Sequence, residues 1–229
     1  DFLAVPVVDR EQRLVGIVTV DDVIDVIQQE ATRDLYAAGA VQAGDEDDYF
    51  QSNLFTVARR RVVWLLVLLL ANSGTAAVIA SMDDVLHRVV VLAAFIPLLI
   101  GTGGNVGAQS STVVIRGLST QRIQSMGPTW AIAREALAGA LLGLLMLLVV
   151  VPWAGYVSHG NWLVAWAAGF ALVAITTLAA TAGAALPLLF DRIGLDPALM
   201  SAPFIATATD VAGVFIYLNI AAALLHRFG

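Results

Sequence analysis

No cysteine and no lysine occur among the 229 residues. Without thiols there is neither a disulfide framework nor a thiolate metal site. Without lysine, all twelve basic side chains are arginines. Charge is scarce overall: 13% of residues are charged against 59% apolar, which excludes a disordered chain and fits an integral membrane protein better than a water-soluble globule. There are three histidines, His87, His159 and His226, and their spacing forms no metal motif. The chain begins at Asp1 and passes at once into a strand-like run with no signal-peptide pattern, so it is expected to be a piece lacking an N-terminal region.

What is present falls into two unlike parts. Residues 1–61 hold twelve of the eighteen acids and read as a small α/β piece. "LAVPVVD" and "RLVGIVTV" are β-branched runs joined by the polar turn "REQ". "DDVIDVIQQEATRDLYAAG" follows with helical spacing: Val23, Ile24 and Ile27 share a face, Asp21 or Asp22 caps the start, and Gly39 ends it. Thr19 and Asp22 at that strand-to-helix junction form a local N-cap signal. "AGDEDD" is an acidic link, and "YFQSNLFTVARRR" reads as an amphipathic lead-in to a membrane.

Five apolar runs follow, at roughly 62–82, 85–118, 131–157, 162–190 and 203–226. Each meets the ~20 residues a spanning helix requires. Backbone amides in lipid must be satisfied within the segment, so helices are the natural reading. The expected fold class is therefore all-α integral membrane, with five transmembrane helices and a short α/β piece at the N-terminus. The second run exceeds what a bilayer needs, so it should tilt, protrude or break, and its middle contains "GTGGNVGAQSS". Arginines set the orientation. Arg59, Arg60, Arg61, Arg116, Arg122, Arg134 and Arg192 fall on one side, against Arg88 and Arg227 on the other, which places the N-terminus in the cytoplasm and the C-terminus outside.

Within the spans, Asp210 is the strongest chemical signal. An ionised carboxylate at mid-membrane costs several kcal/mol, so it normally faces a cavity, a partner or an ion path. Ala206 and Gly213 lie on its helix face and would let water or another helix approach. The polar, glycine-rich stretch from 101 to 112 carries Asn105, Gln109, Ser110 and Ser111. It either borders a cavity or permits close helix packing, as the spacing of Gly103 and Gly107 allows; the two readings are compatible. Thr176, Thr177 and Thr181 are expected to bond back to their own helix, and Glu135, beside Arg134, to be interfacial. Asp196 is either a turn residue before Pro197 or one of several carboxylates that a cation would bridge at a domain junction. An intramembrane aspartyl protease would need two facing aspartates, and only Asp210 is clearly at depth, so the chain is read as a non-enzyme.

"IPLLIGTGGNVGAQSSTVVIRGL" and "LPLLFDRIGLDPALMSAPFIATATDVAGVFIYL" closely resemble the MgtE family of magnesium channels, over the whole five-helix region. "AVPVVDREQRLVGIVTVDDVIDVIQQEATRDL" looks like the end of that family's second CBS domain. The resemblance implies three parts: a CBS remnant at 1–30, a connecting or plug helix with an acidic linker at 31–58, and a pore domain at 59–229. It implies Mg2+ uptake through a homodimeric pore on a two-fold axis, with Mg2+ as substrate and regulator and no nucleic-acid partner. The location implied is a plasma or inner membrane. The alternative is a proton- or sodium-coupled divalent cation carrier. By resemblance, Asp210 and the carbonyl of Ala206 form the pore ion site, and Asn105, Gly104, Gly107, Thr207 and Gly213 line the pore. Asp196, Asp34 and Glu30 belong to regulatory magnesium sites. Thr19 and Asp22 match a ribose-binding pair of CBS domains. Ala202 stands where the family often has asparagine, and Arg33 where it often has an acid.

Overall fold

A computed structural model describes residues 3–39, 52–197 and 202–228. Strands β1 (Ala4–Val8) and β2 (Leu14–Thr19) form an antiparallel hairpin with Val5 opposite Val18 and Val7 opposite Gly16. Helix α1 (Val20–Ala38) leaves β2 directly. Its start is capped by Asp22, whose carboxylate accepts from both the Thr19 amide and the Thr19 hydroxyl, at 2.9 and 2.6 Å. The hydroxyl bond first, then the amide bond, holds the Asp22 carboxyl below the usual carboxylate range. Its contribution is thus present above the unfolded-state value and is lost as pH falls through the lowered one. The helix stops at Gly39, whose amide donates to the Leu35 carbonyl. The acidic link at 43–48 lies outside the described residues.

The membrane part begins with α2 (Leu54–Ser81), where Asn53 accepts from the Phe55 amide at 3.1 Å. Arg59, Arg60 and Arg61 therefore sit inside this helix rather than ahead of it. At 28 residues it is ~42 Å long against ~30 Å of hydrocarbon, so its first turns project and carry the arginines into the interface. The long second run breaks, as its length required, but not in its glycine-rich middle. A short α3 (Asp83–Arg88) is followed by a 3-10 segment (Val90–Phe95) and then α4 (Ile96–Ser119), with Pro97 in its first turn. "GTGGNVGAQSS" is continuous α-helix, which satisfies its backbone amides internally. A short α5 (Arg122–Met126) leads to α6 (Pro128–Val157), α7 (Trp162–Arg192) and α8 (Ala202–Phe228). Among the described residues, five helical segments are long and apolar enough to cross a membrane.

Pairwise contacts fix the sense of each helix. Gly139 abuts Ala180 and Gly169 abuts Val151, so α6 and α7 are antiparallel. Gly103 faces Ile175 and Gly107 faces Ala179, so α4 and α7 are parallel. Gly104 faces Ala206 while Leu92, before α4, meets Tyr217, so α4 and α8 are antiparallel. Trp64 stacks on Phe204 and Gly74 touches Val211, so α2 runs with α8. All seven arginines singled out above consequently share one end of the bundle.

Helix α7 is the central element, with one face buried along its length from Val164 to Leu188. Leu172 and Ile175 pack with Leu92, Phe95, Leu99, Val214, Tyr217 and Leu218 in the main core. Phe95 meets Trp153 edge-on at 5.7 Å. The buried Tyr217 hydroxyl donates to the Leu92 carbonyl at 3.0 Å, so this polar group in the core has a partner. Thr176, Thr177 and Thr181 do bond back to α7 carbonyls, at 2.6–3.2 Å. By contrast, α2 buries no residue and lies at the periphery.

Between lipid-embedded helices the driving force is van der Waals contact, which small residues permit. A Cβ on Gly139 would lie 2.5 Å from the Thr176 carbonyl oxygen, whereas one on Gly101 would meet nothing within 4 Å. Gly139→Leu should therefore lower the thermal unfolding midpoint in detergent through an overpacking cost of about 1–3 kcal/mol. Gly101→Ala should leave the midpoint unchanged or raise it, because alanine is the better helix former by about 0.5–1 kcal/mol. Equal midpoints for the two variants would show that the α6–α7 contact is not close-packed.

Candidate cation-binding cleft

Between α4 and α8 lies an open cleft of about 530 Å3. Helix α4 contributes Gly101, Gly104 and Asn105, and α8 contributes Pro203, Ala206 and Asp210. The one-turn spacing of Ala206 and Asp210 stacks them on the same side of α8. Gly104 is what lets the helices meet here: a Cβ on it would stand 3.2 Å from the Ala206 Cβ and 3.9 Å from Asp210 Oδ1. The Asp210 carboxylate is half-buried, and among the described residues no basic side chain lines the cleft with it. Asn105 and Gln109 are exposed on α4 although they lie inside a spanning segment. The cleft thus offers one anionic carboxylate, a neutral amide and open space. Those are hard oxygen donors suited to a hydrated divalent cation rather than to a soft metal.

The sequence-derived site separates into a part the fold assembles and a part it does not. Asp210, Ala206, Gly104 and Asn105 share the cleft. The Ala206 carbonyl, however, already accepts the Thr209 hydroxyl at 2.9 Å, which leaves it less free to face an ion. Gly107 and Gly213 do not line the cleft. Gly107 is buried against Ile205 and the Ala179 carbonyl, where its missing Cβ allows the α4–α7 contact, and Gly213 is buried against Ile175. Gly213 fails because three residues on from Asp210 turns the helix far enough to point into the core. The Thr207 hydroxyl donates to the Pro203 carbonyl at 2.9 Å and is absent from the cleft lining.

Of the expected regulatory acids, the described residues place Glu30 and Asp196 on the surface. Among the described residues no three metal-ligating side chains converge. Glu30 is exposed, with the Arg33 guanidinium 4.0 Å away. Asp34 lies on α1 with its side chain outside what is described, and Asp196 is exposed in the loop after α7. One pairing was not legible in the sequence. Ser110, buried on α4, donates to Glu135 on α6 at 2.8 Å, so Glu135 is tied to the glycine-rich helix rather than simply interfacial. A polar residue on α4 and an acid near the start of α6 were visible separately, but nothing in their spacing paired them.

Because the chain has no cysteine, single substitutions can report which positions face water. Asn105→Cys and Ala206→Cys should react with a charged thiosulfonate reagent. Gly213→Cys and Ala179→Cys should be protected unless the protein is unfolded. Equal labelling of Gly213→Cys and Asn105→Cys would contradict the rotation of α8 described above.

Two family models and several relatives match this chain. The MgtE family model, described as a divalent cation transporter, matches residues 96–220, which include both walls of the cleft. The CBS domain model matches residues 1–29, the hairpin and the first turns of α1. The chain is 42% identical over 226 residues to the magnesium transporter MgtE of Thermus thermophilus, covering 99% of this chain and 50% of the relative. It is 38% identical over 232 residues to the magnesium transporter MgtE of Enterococcus faecalis, covering 100% of this chain and 49% of the relative. To the magnesium transporter MgtE of Bacillus subtilis it is 36% identical over 230 residues, covering 99% and 49%. The chain thus spans about half the length of these relatives. With five apolar helices, a carboxylate cleft between two of them and a family match across both walls, the chain belongs to the MgtE family of divalent cation transporters.

Proposed function

We propose that the intact protein carries Mg2+ across the membrane through a pore shared by two copies of this chain, with Asp210 as the ion site. The observation that carries this reading is the half-buried Asp210 in an open cleft without a basic partner. One carboxylate is a poor match for a divalent ion, but two copies across a two-fold axis bring a charge of about −2. Exposed Asn105 and Gln109 then face the partner and the water path instead of lipid. Mg2+ gives up water reluctantly and favours octahedral oxygen geometry. A wide site with few protein ligands therefore suits an ion that keeps most of its hydration shell. The relatives' names supply the choice of magnesium.

The same reading assigns residues 1–30 to a CBS remnant, 31–58 to a connecting helix and acidic linker, and 59–229 to the pore. The arginine-rich end of the bundle faces the cytoplasm, because seven arginines lie there. Regulation follows from carboxylates that repel one another unless magnesium sits between them. Asp34 on α1 and Asp196 after α7 approach when cytoplasmic Mg2+ is high and separate when it falls. Ions that bind the closed state more tightly shift the population towards it. Arg33 beside Glu30 weakens the negative field at that position, so Asp34 and Asp196 carry the larger share.

Proteoliposomes loaded with a magnesium-sensitive dye test the pore. Asp210→Asn keeps the side-chain shape and removes about two charges per dimer. Its Mg2+ flux should fall to that of empty vesicles while the protein elutes and melts as a folded species. Flux at the normal rate would show that Asp210 is not the ion site, and wild-type flux abolished by a proton uncoupler would show a coupled carrier instead. In patch recordings of the intact protein, Asp196→Ala should move half-inhibition to higher cytoplasmic Mg2+. An unmoved inhibition curve would remove Asp196 from the regulatory set.

A further inference from the structure

A second cavity, of about 590 Å3, opens at the arginine-rich end of the bundle, between the last turns of α4, the short α5 and the first turns of α6. Arg116, Arg122 and Arg134 all line it, one from each of the three helices. None of the three forms an ion pair among the described residues. The Arg134 guanidinium lies over the Trp130 ring, 5.3 Å from its centroid, which fixes it at the rim. One carboxylate also lines the cavity, that of Glu135, and it is engaged by the Ser110 hydroxyl. Three cations against one acid give the cavity a net positive charge.

Its position decides what kind of anion fits. The cavity lies where three helices end, at the level of a membrane interface. Trp130 is 47% exposed there, as is usual for interfacial tryptophan, and the exposed Val113 and Met126 offer apolar surface beside the arginines. Basic pockets between membrane helices recognise acidic headgroups, with arginine forking onto phosphate oxygens and apolar flanks taking the start of the acyl chains. We propose that this cavity binds the phosphodiester headgroup of an anionic phospholipid in the leaflet next to the arginine-rich end. Such a lipid clamps α4 to α6 from outside the bundle. Because α4 also forms one wall of the Asp210 cleft, the lipid tethers that wall.

Native mass spectrometry of the chain released from nanodiscs containing equal phosphatidylglycerol and phosphatidylcholine tests this. The wild-type chain should retain phosphatidylglycerol preferentially. The combined Arg116→Gln, Arg122→Gln and Arg134→Gln variant should lose that retention by about a hundredfold, about fivefold per arginine. Arg122→Gln alone, on an exposed short helix, serves if the combined variant does not fold, and should lose about fivefold. Arg59→Gln with Arg61→Gln, on α2 at the same end, should leave retention nearly unchanged. Unaltered retention in the cavity variants, or an equal loss per arginine in the α2 variant, overturns the proposal. Displacement of the lipid by excess inorganic phosphate also overturns it, since the cavity would then be a site for soluble anions.

Discussion

The bundle depends on the close approach of α4 and α6 to the central helix α7. In hydrocarbon, apolar side chains gain nothing from leaving lipid for protein, so helices associate only where their surfaces fit closely. Here that fit is made by missing side chains. Gly139 sits on the Thr176 turn, Gly103 receives Ile175, and Gly183 rests on the backbone of Gly107. With α7 held between two neighbours, α8 packs into the remaining groove through Ile205, Val214, Tyr217 and Leu218. Everything at the cleft follows from that order of packing. The rotation of α8 puts Gly213 into the core and Asp210 into the opening.

The cleft is open on one side of the bundle. A half-buried carboxylate and two exposed side-chain amides within one spanning region are costly if they face lipid. Hence α4 presents two kinds of surface along one helix: a small-residue face against α7, and a polar face turned away from it. The peripheral α2, with no buried residue of its own, braces the outer side of α8 through the Trp64–Phe204 stack at 6.5 Å. The N-terminal hairpin also presents apolar side chains, since Val5, Leu14, Val15 and Ile17 are all exposed. A two-stranded hairpin is marginal by itself, and the CBS match over 1–29 identifies the kind of domain that covers such faces.

Much of this was legible in the sequence because its signals are local. Span number comes from the length of apolar runs, and the clustering of seven arginines at one end of the bundle from their placement between those runs. The stop of α1 comes from Gly39, and the back-bonding of Thr176, Thr177 and Thr181 from the habit of hydroxyls in membrane helices. Thr19 and Asp22 were recognisable as a cap because only three residues separate them. Asp210 stood out for a thermodynamic reason, since an unpaired carboxylate in an apolar helix demands a polar environment. Gly104 and Gly107 were harder. Both are small and lie three residues apart, yet one borders the cleft and the other holds α4 to α7.

The sequence by itself determined that this chain spans a membrane five times, which end carries positive charge, and which carboxylate lies deepest. Those properties are set by one residue or one segment against its solvent. Only the tertiary structure decided that the glycine-rich stretch stays helical and the break falls at Val89 to Phe95. It also decided that Ser110 reaches Glu135 and that Arg116, Arg122 and Arg134 converge on one cavity. The last two depend on how far one helix is rotated about its axis relative to another. That rotation is set by many weak contacts summed across α7, and no single stretch of sequence contains the sum.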